Sequence, residues 1–294
     1  MGAKVDLEWN DSDALPPVFD VVTQFVFDRM TDITLEMFDY TNMGKILDVG
    51  CGMGIDASEL AKRGNDLIGL EPSNIMLKKA NDWAKRQEVN IRLVQGIGER
   101  LPFKKRSFEN VICKGAIDHF YNPDMAIQEM AQATKSDGRV IISVTNYESL
   151  GCITARTLMR LRSLILWKNK RGRNHWNGYG RTKTHRIPGR DTCSGNNGGK
   201  ERESWDIPLD HTYKFDYFVL KNVLNKYLEV ESLVGVSLFW NLPGWRELME
   251  RLPKSVALSL LIVSDKIARK FPLLSDVLVS RCRVKNDTQF NDRI

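Results

Sequence analysis

Apolar residues recur along the chain at two different periods, and the alternation between them predicts the architecture. Phe19, Val22, Phe25, Val26, Met30, Ile33 and Met37 follow the spacing of amphipathic helices, so residues 1–44 read as an N-terminal helical cap. Lys45 to Val49 is instead a short apolar strand running into glycines, and Ile55 to Arg63 returns to the helical period. The pattern repeats with Asp66 to Leu70 as strand, Ser73 to Gln87 as a helix capped by Ser73, and Ile91 to Gln95 and Asn110 to Lys114 as strands. Pro123 suits the first position of a helix expected to end near Gly138, and Arg139 to Thr145 is a fifth strand. Farther along, Lys214 to Leu228 is helix-like, Val230 to Phe239 strand-like, Val256 to Lys270 helix-like and Val277 to Val284 strand-like. The apolar run 256–263 suggests bilayer contact, but a buried helix covering the sheet explains it more simply. Strands alternating with helices imply an α/β fold: a Rossmann-like, doubly wound, mostly parallel seven-stranded sheet spanning 45–294.

Charge adds a second feature. Between Arg156 and Ser204 there are thirteen Lys or Arg against three acids, a local balance of +10 in a chain whose net charge is +6, so the remainder is near −4. The basic character belongs to one segment. Its main part, Trp167 to Trp205, is rich in Gly, Asn and Arg and lacks periodic apolar residues, which predicts a flexible, basic insert at about 150–210 after the fifth strand. With 42% hydrophobic and 27% charged residues, the chain is globular, neither disordered nor fibrous. No signal-peptide pattern opens it, and no apolar run approaches a membrane span. Five scattered cysteines argue for a reducing, cytoplasmic setting.

The sharpest local signal is Asp48-Val49-Gly50-Cys51-Gly52-Met53-Gly54, between a strand and a helix. In an open parallel sheet this junction lies at the carboxyl edge, where ligands bind, and glycine lets backbone approach them closely. Glu71, at the end of the next strand and twenty-one residues after Gly50, is placed to accept from both hydroxyls of a ribose. Together they specify a nucleoside with an acidic tail. A dinucleotide fingerprint needs Gly or Ala where this chain has Ile55. The turn instead resembles the first motif of class I S-adenosylmethionine-dependent methyltransferases. Gly96 to Phe103, Ser107 to Val111, Asp118-His119 with Asn122-Pro123, and Lys135 to Gly138 look like successive landmarks of the family's small-molecule branch, typified by ubiquinone and menaquinone biosynthesis.

That resemblance implies S-adenosylmethionine as cofactor and S-adenosylhomocysteine as product. It implies that Asp48 and the backbone of Gly50, Cys51, Gly52, Met53 and Gly54 hold the methionine portion, and that Glu71 holds the ribose. Pro72, Ser73 and Met76 would flank the adenosine, Ile97, Gly98 and Glu99 the adenine edge, and Lys114 and Gly115 the sulfonium. Where many relatives have an Asp that bonds the adenine amino group, this chain has Ile97, so that contact falls to backbone or to Glu99.

Methyl transfer is an in-line displacement, governed by alignment, and a base contributes roughly 10²–10⁴-fold when the acceptor carries a proton. His119, following the fourth strand, is the first candidate base; Asp118 beside it would orient the substrate, and His211 in the later Asp210-His211 pair is the second candidate. No histidine has metal-ligand spacing, so no metal is expected. Gly199-Lys200 lacks the flanking residues of a phosphate loop. A basic cover over the substrate side favours an anionic or phosphate-bearing small molecule or glycan, methylated on oxygen, with peripheral membrane contact through Trp167, Trp176, Tyr179 and Trp205 as a further option. An RNA methyltransferase is the alternative enzyme, disfavoured because Lys114-Gly115-Ala116-Ile117 lacks the Asn/Asp-Pro-Pro-aromatic box of amino-group nucleic-acid methylases. A cofactor-binding scaffold without turnover is the alternative from outside enzymology.

Overall fold

A computed structural model describes residues 7–10, 19–38, 44–173 and 213–285. β1 (Lys45–Val49) is apolar because strands flank it on both sides: β2 (Asp66–Glu71) and β4 (Phe108–Lys114), both parallel to it. With β3 (Ile91–Gln95), β5 (Thr134–Thr145), β6 (Leu228–Val236) and β7 (Val277–Val284) they form a seven-stranded sheet in the order β3-β2-β1-β4-β5-β7-β6. β7 runs antiparallel to β5 and β6, and the other pairings are parallel. This is the expected Rossmann-like α/β sheet, and the order reverses beside β1, where β1 leads to β2 on one side and β4 lies on the other.

Helix α1 (Val21–Glu36) begins where Asp20 accepts from the N–H groups of Val22 and Thr23. Its inward residues Val26, Met30 and Ile33 join Ile46, Leu67, Ile112 and Ile141 in one core cluster, so this cap is a layer of the sheet's own core. α2 (Ile55–Lys62) packs beside it on that face. The opposite face is covered by α4 (Pro123–Ala133), which buries Ile127 and Met130 over β4 and β5, and by α6 (Tyr217–Tyr227), which buries Leu220 and Leu224 over β6 and β7. α3 (Asn74–Arg86) starts at the expected Ser73, whose Oγ accepts from Met76 N.

Several boundaries differ from the sequence reading, each for a tertiary reason. α4 ends at Ala133, short of Gly138, because Thr134 already pairs with Phe108 and its hydroxyl closes the helix onto Met130 O. Gly138 serves close strand packing: a Cβ there would lie 2.3 Å from Glu109 O. β6 stops at Val236, where Ser237 turns into positive φ and its N–H is held by Asp265. The expected loop from Trp167 begins as helix, since α5 runs Leu150–Arg173; 174–212 lie outside the described residues. The run 256–263 is the clearest correction. It lies in α8 (Lys254–Lys270), which follows α7 (Trp245–Arg251), and only Ala257 and Leu261 are buried there. Val256, Leu260, Ile262 and Val263 face outward, because a helix lying on one sheet face buries one stripe.

Candidate functional site

The glycine turn uses backbone conformations that side chains would not permit. At Gly50, φ is +74° and a Cβ would stand 2.5 Å from the Ala116 Cβ, so β1 and the chain after β4 touch backbone to side chain. Gly50 N and Cys51 N both donate to Leu70 O, at 2.8 and 3.1 Å, fastening the turn to the end of β2. Glu71 completes the clamp. Its Oε2 accepts from Gly52 N at 3.1 Å and its Oε1 from Ser73 N at 3.0 Å, so one carboxylate spans the turns after β1 and β2.

Carboxylates converge here. Burial drives the Asp48 carboxyl well above the ordinary range, and Asp56 and Glu71 push it further while Lys114 opposes them. Lys114 Nζ bridges both Asp56 oxygens, at 2.9 and 2.8 Å, tying the end of β4 to the first turn of α2. Lys114 thus acts through its side chain as well as the expected backbone, and Asp56 is a site residue that sequence reasoning missed. Its position in the first turn after the glycines was the available signal.

The adenine-edge segment also lies near the turn. The Phe120 ring packs 2.6 Å from where a Cβ on Gly98 would be and 3.8 Å from one on Gly50, so one aromatic wall contacts both stretches. Ile97 forms an isolated bridge with Arg100. Glu99 is buried and turned away: its Oε1 accepts from Asn122 N at 3.3 Å, and desolvation raises its carboxyl. Glu99 is thus engaged with the backbone that leads into α4.

Other expectations change in detail. Met76 is fully buried, and Cys51, expected to contribute backbone, packs its sulfur against Gly69. Pro72 uses its carbonyl to accept from Gln95 Nε2. Ser73 is covered, its hydroxyl donating to Trp9 O at 2.6 Å. Asn74 N donates to Leu7 O and Lys79 Nζ to Asn10 Oδ1, so the short strap 7–10 lies across the start of α3.

The strap also reaches the reaction side. Trp9 lies with its ring centroid 5.7 Å from that of His119, which sits on the 3₁₀ turn Ile117–His119 after β4. Gly115, also after β4, donates its N–H to Ser143 O. The His119 side chain is one-third exposed, whereas Asp118 is buried, its Oδ1 3.9 Å from His119 Nε2. Asp118 is therefore a buried carboxyl beside the imidazole. Tyr213 N donates to Asp118 O, bringing the segment after the basic insert to the same place. Trp9 was not legible as a neighbour of His119, because its approach is made by a loop. His211 and Asp210, with His175 and His185, lie outside the described residues. Among the described residues no group of three or more His, Cys, Asp or Glu is gathered to hold a metal.

The site fits an adenosyl sulfonium by its charge. Asp56 and Glu71 both oppose ionisation of Asp48, and a group bearing a sulfonium and an ammonium would relieve that repulsion. A carboxylate offers about four lone-pair sites, so the backbone bonds of Glu71 are compatible with two further hydroxyl donors.

Comparison with known proteins agrees. Residues 47–142 match the family model described as a methyltransferase domain. An uncharacterized methyltransferase of Bacillus subtilis, YcgJ, is 33% identical over 99 residues, which cover 33% of this chain and 39% of that protein. A ubiquinone biosynthesis O-methyltransferase of Rickettsia canadensis is 34% identical over 109 residues, covering 36% of this chain and 46% of that protein. The chain thus spans less than half the length of these curated relatives. The crystal structure of the PH0226 protein from Pyrococcus horikoshii superposes with a TM-score of 0.53 at 16% identity, over 94% of this chain and all of that one, and so shares the fold. Over residues 47–142 the chain is thus similar to the methyltransferase-domain family and to methyltransferases of the small-molecule type.

Proposed function

We propose that this chain methylates a small molecule or glycan on oxygen, and that its acceptor is anionic or bears a phosphate. The observation that carries the reading is the buried carboxylate cluster wrapped around the glycine turn, with Glu71 holding Gly52 N and Ser73 N. S-adenosylmethionine, when bound, supplies an electrophilic methyl group on a cationic sulfur. Asp48 balances the cationic end, the backbone from Gly50 to Gly54 lies along the methionine portion, and Glu71 accepts from the ribose hydroxyls. Gly98 and Ile97 border the adenine, and Gly115 with the Lys114 backbone borders the sulfonium.

His119 takes the proton of the acceptor hydroxyl, and the buried Asp118 carboxylate stabilises the imidazolium that results. Trp9 excludes water from the same side. Oxygen as the acceptor atom is supported by the ubiquinone-biosynthesis O-methyltransferase among the relatives, and an anionic acceptor by the thirteen basic residues between Arg156 and Ser204. The described cysteines 51, 113, 152 and 282 are buried free thiols, in keeping with the cytoplasm.

The test is calorimetric titration of S-adenosylmethionine, followed by labelled-methyl transfer to fractionated small-molecule extracts. Saturable binding with transfer to an anionic fraction is expected. His119→Ala should keep cofactor affinity and lose roughly 10²–10⁴-fold in transfer. Absence of cofactor binding overturns the reading, and unchanged transfer by His119→Ala removes it as the base.

A further inference from the structure

Helix α8 carries apolar residues on two sides, and only one is used by the fold. Ala257, Leu261 and Ala268 are buried, and the contacts of this side run to β6, α1 and α7. On the outer side Val256, Leu260, Val263 and Ile267 follow at steps of four, three and four, which places them in one stripe. Each is 42–54% exposed, and Phe271 and Leu273 extend the apolar surface past the helix end at 56% and 43%. A contiguous stripe of this kind marks an interaction surface, unlike scattered single exposures.

The charges around the stripe identify the partner. Lys266 and Lys270 flank it, with Lys254 at one end and Arg269 in the last turn. The single acid of the helix, Asp265, is buried and is taken up by Arg29, Arg269 and the Ser237 N–H. The exposed surface of α8 is therefore apolar and cationic, with no acidic group. A helix with one outward apolar stripe edged by lysines suits the plane of an interface.

We propose that the outer face of α8 docks the protein on an anionic phospholipid surface. Val256, Leu260, Val263, Ile267 and Phe271 enter the boundary between headgroups and acyl chains, while Lys266 and Lys270 reach the phosphates. Such docking brings the domain to a bilayer without anchoring it permanently, and it does not depend on the methyltransfer reading.

The test is co-sedimentation of the full chain with vesicles of phosphatidylcholine, with and without about one-third phosphatidylglycerol, for wild type and Leu260→Ser/Val263→Ser/Ile267→Ser. Wild type should pellet with the anionic vesicles, and the triple variant should lose at least about tenfold in partitioning, as expected when three apolar side chains no longer insert. Lys266→Ala/Lys270→Ala should weaken binding by roughly fivefold, and added salt should weaken it further. Unchanged thermal melting, with S-adenosylmethionine binding equal to wild type, would show that the serine variant folds. Vesicle binding equal in wild type and the serine variant would assign it to the basic segment and overturn the proposal, as would no binding by wild type. A wild-type dimer that the serine substitutions dissociate would overturn it in favour of a second copy on this face.

Discussion

Two buried aspartates, one on each half of the sheet, show how differently the halves are employed. Asp48 ends β1 in the parallel half, where Asp56 and Glu71 add to the effect of burial and Lys114 opposes it. Asp276 precedes β7 in the antiparallel half. Burial alone raises its carboxyl to about 7, against the pull of the Trp240 N–H and the Ser149 and Ser237 hydroxyls. No cation is among the groups that set its proton affinity. Its backbone and side chain instead tie neighbouring segments together: Trp240 N donates to Oδ2 at 2.9 Å, and Asn146 N donates to Asp276 O at 2.8 Å. The first aspartate lies among further carboxylates that oppose its ionisation, whereas the second is an internal fastener whose proton is held by burial. Burial of a carboxylate therefore points to function only where further charges converge on it.

The comparison is open to direct attack, beginning with the largest effect. Folded Asp276 keeps its proton to about pH 7, while unfolded it ionises near the ordinary value of 3.8, so stability falls as pH rises between these values. About three pKa units correspond to roughly 4 kcal/mol, and Asp276→Asn should abolish that slope in urea unfolding measured across the window. An unchanged slope would show that Asp276 is no fastener of this kind. Next, Glu71→Ala removes a charged acceptor for two hydroxyls, so S-adenosylmethionine affinity should fall by roughly 3 kcal/mol, about a hundredfold, in calorimetry, while adenosine-free anions are unaffected.

Gly50→Ala forces a side chain into positive φ and against Ala116, and should lower unfolding free energy by about 2 kcal/mol, read as a shifted urea midpoint without a change in slope. The smallest effect concerns Asp48. Its carboxyl is raised in the free protein, and a bound cation favours the ionised form, so cofactor binding should release protons and tighten as pH increases. Titrations in buffers of different ionisation enthalpy would reveal the release, and Asp48→Asn should remove it.

The parallel half was readable in the sequence because its signals are local. Asp48, Gly50, Gly52, Gly54 and Glu71 lie in two consecutive strand-to-helix turns, and local geometry alone brings such turns to one edge. Ser73 was readable as a cap for the same reason. Trp9 was not: its contact with His119 joins residues more than a hundred positions apart, and no periodicity encodes it. The burial of Asp118 and Glu99 was not legible either, because sequence gives no account of packing beside a 3₁₀ turn. The run 256–263 misled for a related reason. Its apolar residues are too continuous for their periodicity to say which stripe faces the sheet, and α8 buries only one.

By itself the sequence determined the alternation of strand and helix, the glycine turn with its downstream carboxylate, and hence the edge at which a ligand is met. These follow from backbone freedom and hydrogen bonding over a few neighbouring residues. Only the tertiary structure decided that Lys114 and Asp56 close the site, that residues 7–10 cover it, that Asp276 fastens the antiparallel half, and that α8 leaves an apolar stripe outside. Those outcomes depend on which distant surfaces exclude water from one another, and that is settled by packing in three dimensions.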